Sequence, residues 1–88
     1  MAKFAAILTF GNTEQRLAAR PAHREYLKSL LDSGKLLASG PWIDESGALI
    51  IYEGADEAEV RALIDADPYN SGEIVKSVEL KEWHQVFP

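Results

Sequence analysis

Phe4-Ala-Ala-Ile-Leu-Thr-Phe10 is a nearly continuous apolar run closed by the turn signal Gly11-Asn12, and its reading decides the fold. As a strand it sends Phe4, Ala6, Leu8 and Phe10 to one face and Ala5 and Ile7 to the other. A strand that is apolar on both faces needs cover on both. The run is too short to span a bilayer. One Lys precedes it and no small-residue cleavage pattern follows, so it does not read as a signal peptide.

Working outward, residues 13–20 read as a polar lead-in with at most a short helical turn. Pro21 suits the first turn of a helix, where its missing N–H costs nothing. Leu27, Leu30 and Leu31 then form a helical stripe, and Gly34 is a fitting residue just past the helix end, which predicts a helix over 21–33. Leu36–Ser39 reads as a short strand closed by Gly40-Pro41, and Ala48-Leu-Ile-Ile-Tyr-Glu53 as the clearest strand in the chain. Asp56-Glu-Ala-Glu59 places acids where a second helix begins, and Val60, Leu63 and Ile64 are its buried stripe. Pro68 stops that helix, and a last strand follows over 74–80.

The order β-α-β-β-α-β is that of an α+β, ferredoxin-like domain spanning residues 1–88, with four antiparallel strands and two helices on one face. Two helices cover only one face of such a sheet, yet Phe4–Phe10 and Ala48–Tyr52 are apolar on both. The reading favours burial of the second face against another copy, as a symmetric homodimer. The alternative is a monomer whose alanines and alternating polar residues soften that face.

Composition narrows the function classes. A chain of 88 residues buries only about 60–65% of its unfolded surface, which leaves a thin core and adds to the case for a partner subunit. With no cysteine, disulfides, thiolate metal sites and cysteine nucleophiles are excluded. A net charge of −5, from 14 acids and 9 bases without a basic run, argues against nucleic acid or an anionic membrane as partner. The expectation is a soluble cytoplasmic protein.

His23 precedes Leu27, Leu30 and Leu31 by four, seven and eight residues, so it shares their stripe and points at the sheet. Arg20 lies on nearly the same face, at the helix entrance. Asp67 follows Val60 by seven and Ile64 by three, and so continues the second helix's stripe. Three polar groups aimed inward need partners, and the cheapest solution is that they meet or surround a small polar cavity. Ordinary alternatives exist for each: a satisfied boundary His, an Asp-Pro turn closed by Asp67 on its own backbone, a surface Arg20. Ser39, at a strand end, is within reach of such a pocket but lacks a nucleophile-elbow pattern. His23 and His84 have no metal-ligand spacing, and no glycine-rich phosphate loop is present, so neither a metal nor a cofactor is expected.

Arg20-Pro21-Ala22-His23, Gly34-Lys35-Leu36-Leu37-Ala38-Ser39-Gly40-Pro41, and Asp65-Ala66-Asp67-Pro68-Tyr69 with Gly72 together resemble the YciI-like (YCII-related) family, from the first strand to Val86-Phe87. The resemblance implies a ferredoxin-like fold that dimerises into an α/β barrel, as in muconolactone isomerase-like proteins. It also implies an active site built on a His and an Asp, here His23 and Asp67, with Arg20 as the motif's arginine. One branch is similar to enzymes that dechlorinate or isomerise small ring compounds. This chain departs from the longer members between Pro41 and Ala48, where it is shorter, and Trp42 is expected to replace the missing loop as a lid at the pocket rim. The candidate catalytic residues are therefore His23 and Asp67, and the candidate substrate-binding residues Arg20, Ser39, Trp42 and Tyr69.

Three functions follow as expectations. The first is a cofactor-free isomerase or lyase in which Asp67 holds His23, His23 moves a proton and Arg20 binds an acidic group of a small cyclic or carboxylate metabolite. The second is a dimer that binds a small anion without catalysis. The third is a structural module whose His–Asp pair merely satisfies itself.

Overall fold

Two short polar side chains start both helices. Asn12 Oδ1 accepts the N–H of Gln15 at 2.8 Å, and Asp56 Oδ1 accepts that of Glu59 at 2.9 Å, each pairing one of the donors a helix start leaves free. In a computed structural model describing residues 1–88, the elements run β1 (Ala2–Phe10), α1 (Thr13–Asp32), β2 (Leu36–Pro41), β3 (Gly47–Gly54), α2 (Glu57–Asp65) and β4 (Val75–Trp83). This is the β-α-β-β-α-β order expected from the sequence. The sheet is antiparallel with strand order β2-β3-β1-β4.

The first helix begins eight residues earlier than its hydrophobic pattern indicated, at Thr13 and not at Pro21. Its buried stripe is Arg16, His23, Leu27 and Leu30, so polar side chains carry the first half of the buried face and hid the periodicity. Pro21 lies inside the helix, exposed beside Leu17, whose carbonyl loses its usual donor on the solvent side. Leu31, assigned to the stripe, is exposed. The helix end follows expectation: Gly34 takes φ 78°, Lys35 N–H bonds Leu30 O at 2.8 Å and Gly34 N–H bonds Leu31 O at 3.2 Å, the paired bonds of a Schellman ending.

Register builds the core. Phe4 faces Tyr52, Ala6 faces Ile50 and Leu8 faces Ala48, and all six side chains lie on the helix side of the sheet. Leu27, Leu30 and Val60 close over them, with Ala6 and Val60 wholly buried. The helices are tied to each other where the Tyr26 hydroxyl donates to Leu63 O at 2.6 Å. On the other face, Ala5 and Ile7 of β1 lie beside Ile51 and Leu49 of β3, with Ala38 and Gly40 of β2 beyond them. Towards β4 the same rows end in Lys81 and Glu79, which pair at 3.4 Å. No helix covers this face.

Two outcomes are expected from this architecture. Asn12→Ala removes the cap and lowers stability by about 1 kcal/mol, a fall of roughly 4–8 °C in Tm by calorimetry. Burial, then the nearby Asp67 charge, then Tyr26, hold the Tyr52 phenol above its ordinary pKa of 10.0. The folded chain thus keeps a proton that the unfolded chain releases. The stability linked to Tyr52 is complete below pH about 10 and is lost as pH rises past that value. Urea unfolding between pH 8 and 11 is expected to show a steeper loss for the wild type than for Tyr52→Phe.

Candidate active site

His23 projects from the middle of α1, and Asp67 from the turn after α2; both are buried. Asp67 does not continue a helical stripe, because α2 stops at Asp65 with Ala66 as its cap. The turn itself aims the carboxylate: Asp67 N–H donates to Ile64 O at 3.1 Å, and Asn70 N–H donates to Asp67 O at 2.7 Å. Asp67 Oδ1 lies 2.7 Å from His23 Nδ1 and accepts the Tyr69 N–H at 2.8 Å. The self-closing Asp-Pro turn and the His–Asp pair, alternatives at the sequence level, are therefore both present and share one oxygen.

An ionised carboxylate only accepts, so the hydrogen between the pair sits on Nδ1. In the neutral ring this leaves Nε2 with a lone pair. The ring cannot rotate freely, since Tyr69 stacks flat upon it with centroids 3.6 Å apart and an interplanar angle of 3°. Phe10 meets Tyr69 edge-on at 5.8 Å, and the Arg16 guanidinium lies over Phe10 at 4.7 Å. Burial raises the Tyr69 phenol pKa, while the Arg16 charge and its hydrogen bond to the phenol, then the charges of Arg20 and Arg24, pull it down.

His23 borders a cavity of about 200 Å³ between α1 and β2. Arg24 lines its helix side, Ser39 and Pro41 its strand side, and Phe10 and Ile50 its floor. A larger open hollow of about 490 Å³ holds His84 and Trp83 at the far end of β1 and β4, but no buried polar group faces it. No cluster of three or more His, Asp or Glu comes together to hold a metal ion, and no helix is long and apolar enough to cross a membrane.

The other candidates are placed as follows. Ser39 lines the His23 cavity. Tyr69 is buried behind His23 and supports the ring without bordering that cavity. Arg20 is half-buried and also does not border it; Arg24, one turn further on, does. Trp42 is not a lid. Pro41 pairs with Ala48 on the helix side, so strand alternation carries Trp42 to the open face, into a groove of about 250 Å³ with Leu49 and Ile51. Arg16 was missed because it fell in the stretch read as a lead-in. The signal was present: Asn12 followed three residues later by Gln15 is a helix-start pattern, and Arg16, Arg20, His23 and Leu27 repeat at helical spacing.

Comparison with known proteins agrees with the architecture. Protein YciI of Escherichia coli O6:H1 is 34% identical over 84 residues, covering 84% of this chain and 86% of the relative. The derivative of benzaldehyde biosynthesis cluster protein C of Emericella nidulans is 33% identical over 67 residues, covering 64% and 68%. Among solved structures, the 5-chloro-2-hydroxyhydroquinone dehydrochlorinase of Burkholderia phenoliruptrix, in complex with 2,5-dihydroxybenzoquinone, superposes with a TM-score of 0.74 at 20% identity, over 92% of this chain and 93% of that one. The two share a fold. Residues 2–84 match the YCII-related domain, and with that match over almost its whole length the chain belongs to the YCII-related family.

Proposed function

We propose that this protein is a cofactor-free acid–base enzyme acting on a small cyclic or carboxylate metabolite. The observation that carries the reading is the buried His23–Asp67 pair beside a cavity. His23 Nε2 takes a proton from the bound substrate, and Asp67 stabilises the imidazolium that forms. In an isomerisation the proton returns to a different atom of the ring system. In an elimination the electron pair left behind forms a double bond, the leaving group departs with its own pair, and the imidazolium proton passes to solvent. A cavity of about 200 Å³ suits a single substituted ring, since a cavity of roughly 150 Å³ accepts benzene. The dehydrochlorinase that shares this fold acts on such a ring, which supports the substrate class by analogy. A second reading, an anion-binding dimer without turnover, is favoured by the three arginines whose charges reach Tyr69.

The test is a panel of chlorinated and hydroxylated ring compounds assayed with wild type, His23→Ala and Asp67→Asn. Each variant is expected to lose about 10²–10⁴-fold in turnover while its circular dichroism stays native. Each also loses about 1–3 kcal/mol of stability, through the buried partner left unsatisfied. Lower stability with undiminished turnover defeats the catalytic reading.

We propose further that two copies pack sheet to sheet through Ala5, Ile7, Leu49 and Ile51, the apolar rows no helix covers. Light scattering at micromolar concentration is expected to give twice the chain mass for the wild type, and monomer or aggregate for Ile7→Asp. A monomeric wild type overturns the pairing.

A further inference from the structure

Three of the four arginines, Arg16, Arg20 and Arg24, recur every fourth residue on α1 and form a cationic ridge in a chain of net charge −5. All three act electrostatically on the Tyr69 phenol. Arg16 differs from the others in being buried, with 5% of its surface exposed. Its guanidinium is pinned over Phe10, the ring that also floors the His23 cavity. A buried guanidinium has five N–H donors to satisfy. Nη2 donates to Glu45 Oε1 at 3.3 Å, the Tyr69 hydroxyl is a second side-chain partner, and the Glu45 side chain is 56% exposed.

Glu45 sits on the turn between β2 and β3 in an unusual conformation. It is the one non-glycine residue with positive φ, at 58°. The turn is braced on either side: Asp44 Oδ1 accepts from the Ser46 hydroxyl at 2.7 Å and the Ser46 N–H at 3.0 Å, and Ser46 O accepts the Phe10 N–H at 2.9 Å. A carboxylate on an exposed turn is thus held against a buried cation that touches the Phe10 ring; Arg16 does not itself border the cavity, whose floor Phe10 forms. Only the Glu45 end of the pair is solvated, so a second carboxylate can replace it without leaving the buried cation unpaired.

We propose that Arg16 recognises the carboxylate of the ligand bound beside His23, that Glu45 occupies that carboxylate's place until the ligand arrives, and that the ligand is a ring bearing a carboxylate group. This rests on the cavity being the ligand site and names the substrate class for it. The ring lies in the cavity over Phe10, and its carboxylate takes the guanidinium fork in the paired geometry that arginine offers and lysine does not. Arg16 is in this sense a specificity-determining residue, and Glu45 sets an affinity threshold that neutral rings do not have to overcome and gain nothing from overcoming.

The experiment is isothermal titration at fixed ionic strength with 4-hydroxybenzoate and its neutral isostere 4-hydroxybenzamide, on wild type, Glu45→Gln and Arg16→Lys. Wild type is expected to prefer the benzoate by about tenfold. Glu45→Gln, which leaves the buried cation and the fold in place, tightens benzoate binding by about three- to tenfold and leaves the benzamide unchanged. Arg16→Lys keeps the charge and loses most of the preference. An equal or weaker affinity of Glu45→Gln for benzoate overturns the proposal, as does a wild type that binds neither probe or both alike. Turnover of His23→Ala, measured separately, tells this failure from the other. Turnover lost with no effect of Glu45→Gln leaves acid–base catalysis standing and removes the role of Arg16. Benzoate binding sensitive to Glu45 with turnover intact does the reverse.

Discussion

A single oxygen, Oδ1 of Asp67, joins α1, the turn after α2 and the Tyr69 ring. It accepts the backbone N–H of Tyr69, which shapes the turn after α2, and the Nδ1–H of His23, which reaches it from α1. The turn brings Tyr69 flat against the imidazole, and the imidazole, fixed on one side by hydrogen bonding and on its face by stacking, keeps its remaining nitrogen for the cavity. Were the carboxylate to swing away, the turn, the stack and the tautomer would change together. Such coupling is common where one buried acceptor serves several donors, because no water is at hand to replace it.

Much of this was legible in the sequence, and the exceptions have separate causes. The element order, the Gly34 helix ending and the inward aim of His23 follow from periodicity and from glycine's tolerance of positive φ, and the structure has them. The start of α1 does not follow, because a hydrophobic template cannot register Arg16 as a buried residue. The helix hides a charged side chain whose stem and guanidinium are covered by an aromatic ring and an acid from distant segments. Asp67 was aimed inward for the wrong local reason: a turn places it, not a helix. Trp42 went astray by one position of strand alternation, which needs the pairing of Pro41 with Ala48 to settle.

Two side-chain pairs start from α1, His23 with Asp67 and Arg16 with Glu45. His23 and Asp67 are both buried, on a helix and on a turn 44 positions apart in sequence. The Arg16–Glu45 pair joins a buried cation on α1 to an exposed carboxylate on the turn between β2 and β3. Within a shared fold, changes to the hairpin between Pro41 and Ala48 alter what meets Arg16 without disturbing the imidazole. The proposed proton transfer and the proposed ligand selectivity thus rest on separate segments, as in other scaffolds where loops vary over a fixed frame.

Pro21 has a mechanical consequence. It interrupts the hydrogen-bond ladder of α1 between the half that carries Arg16 and the half that carries His23. The second half is anchored by Leu27 and Leu30 in the core and by Tyr26 to α2, while the first half has Asn12 and Arg16 to hold it. On these anchors the two segments are expected to open at different free energies, the N-terminal one more readily. Arg16 and His23 thus lie on opposite sides of the one backbone hydrogen bond that Pro21 removes.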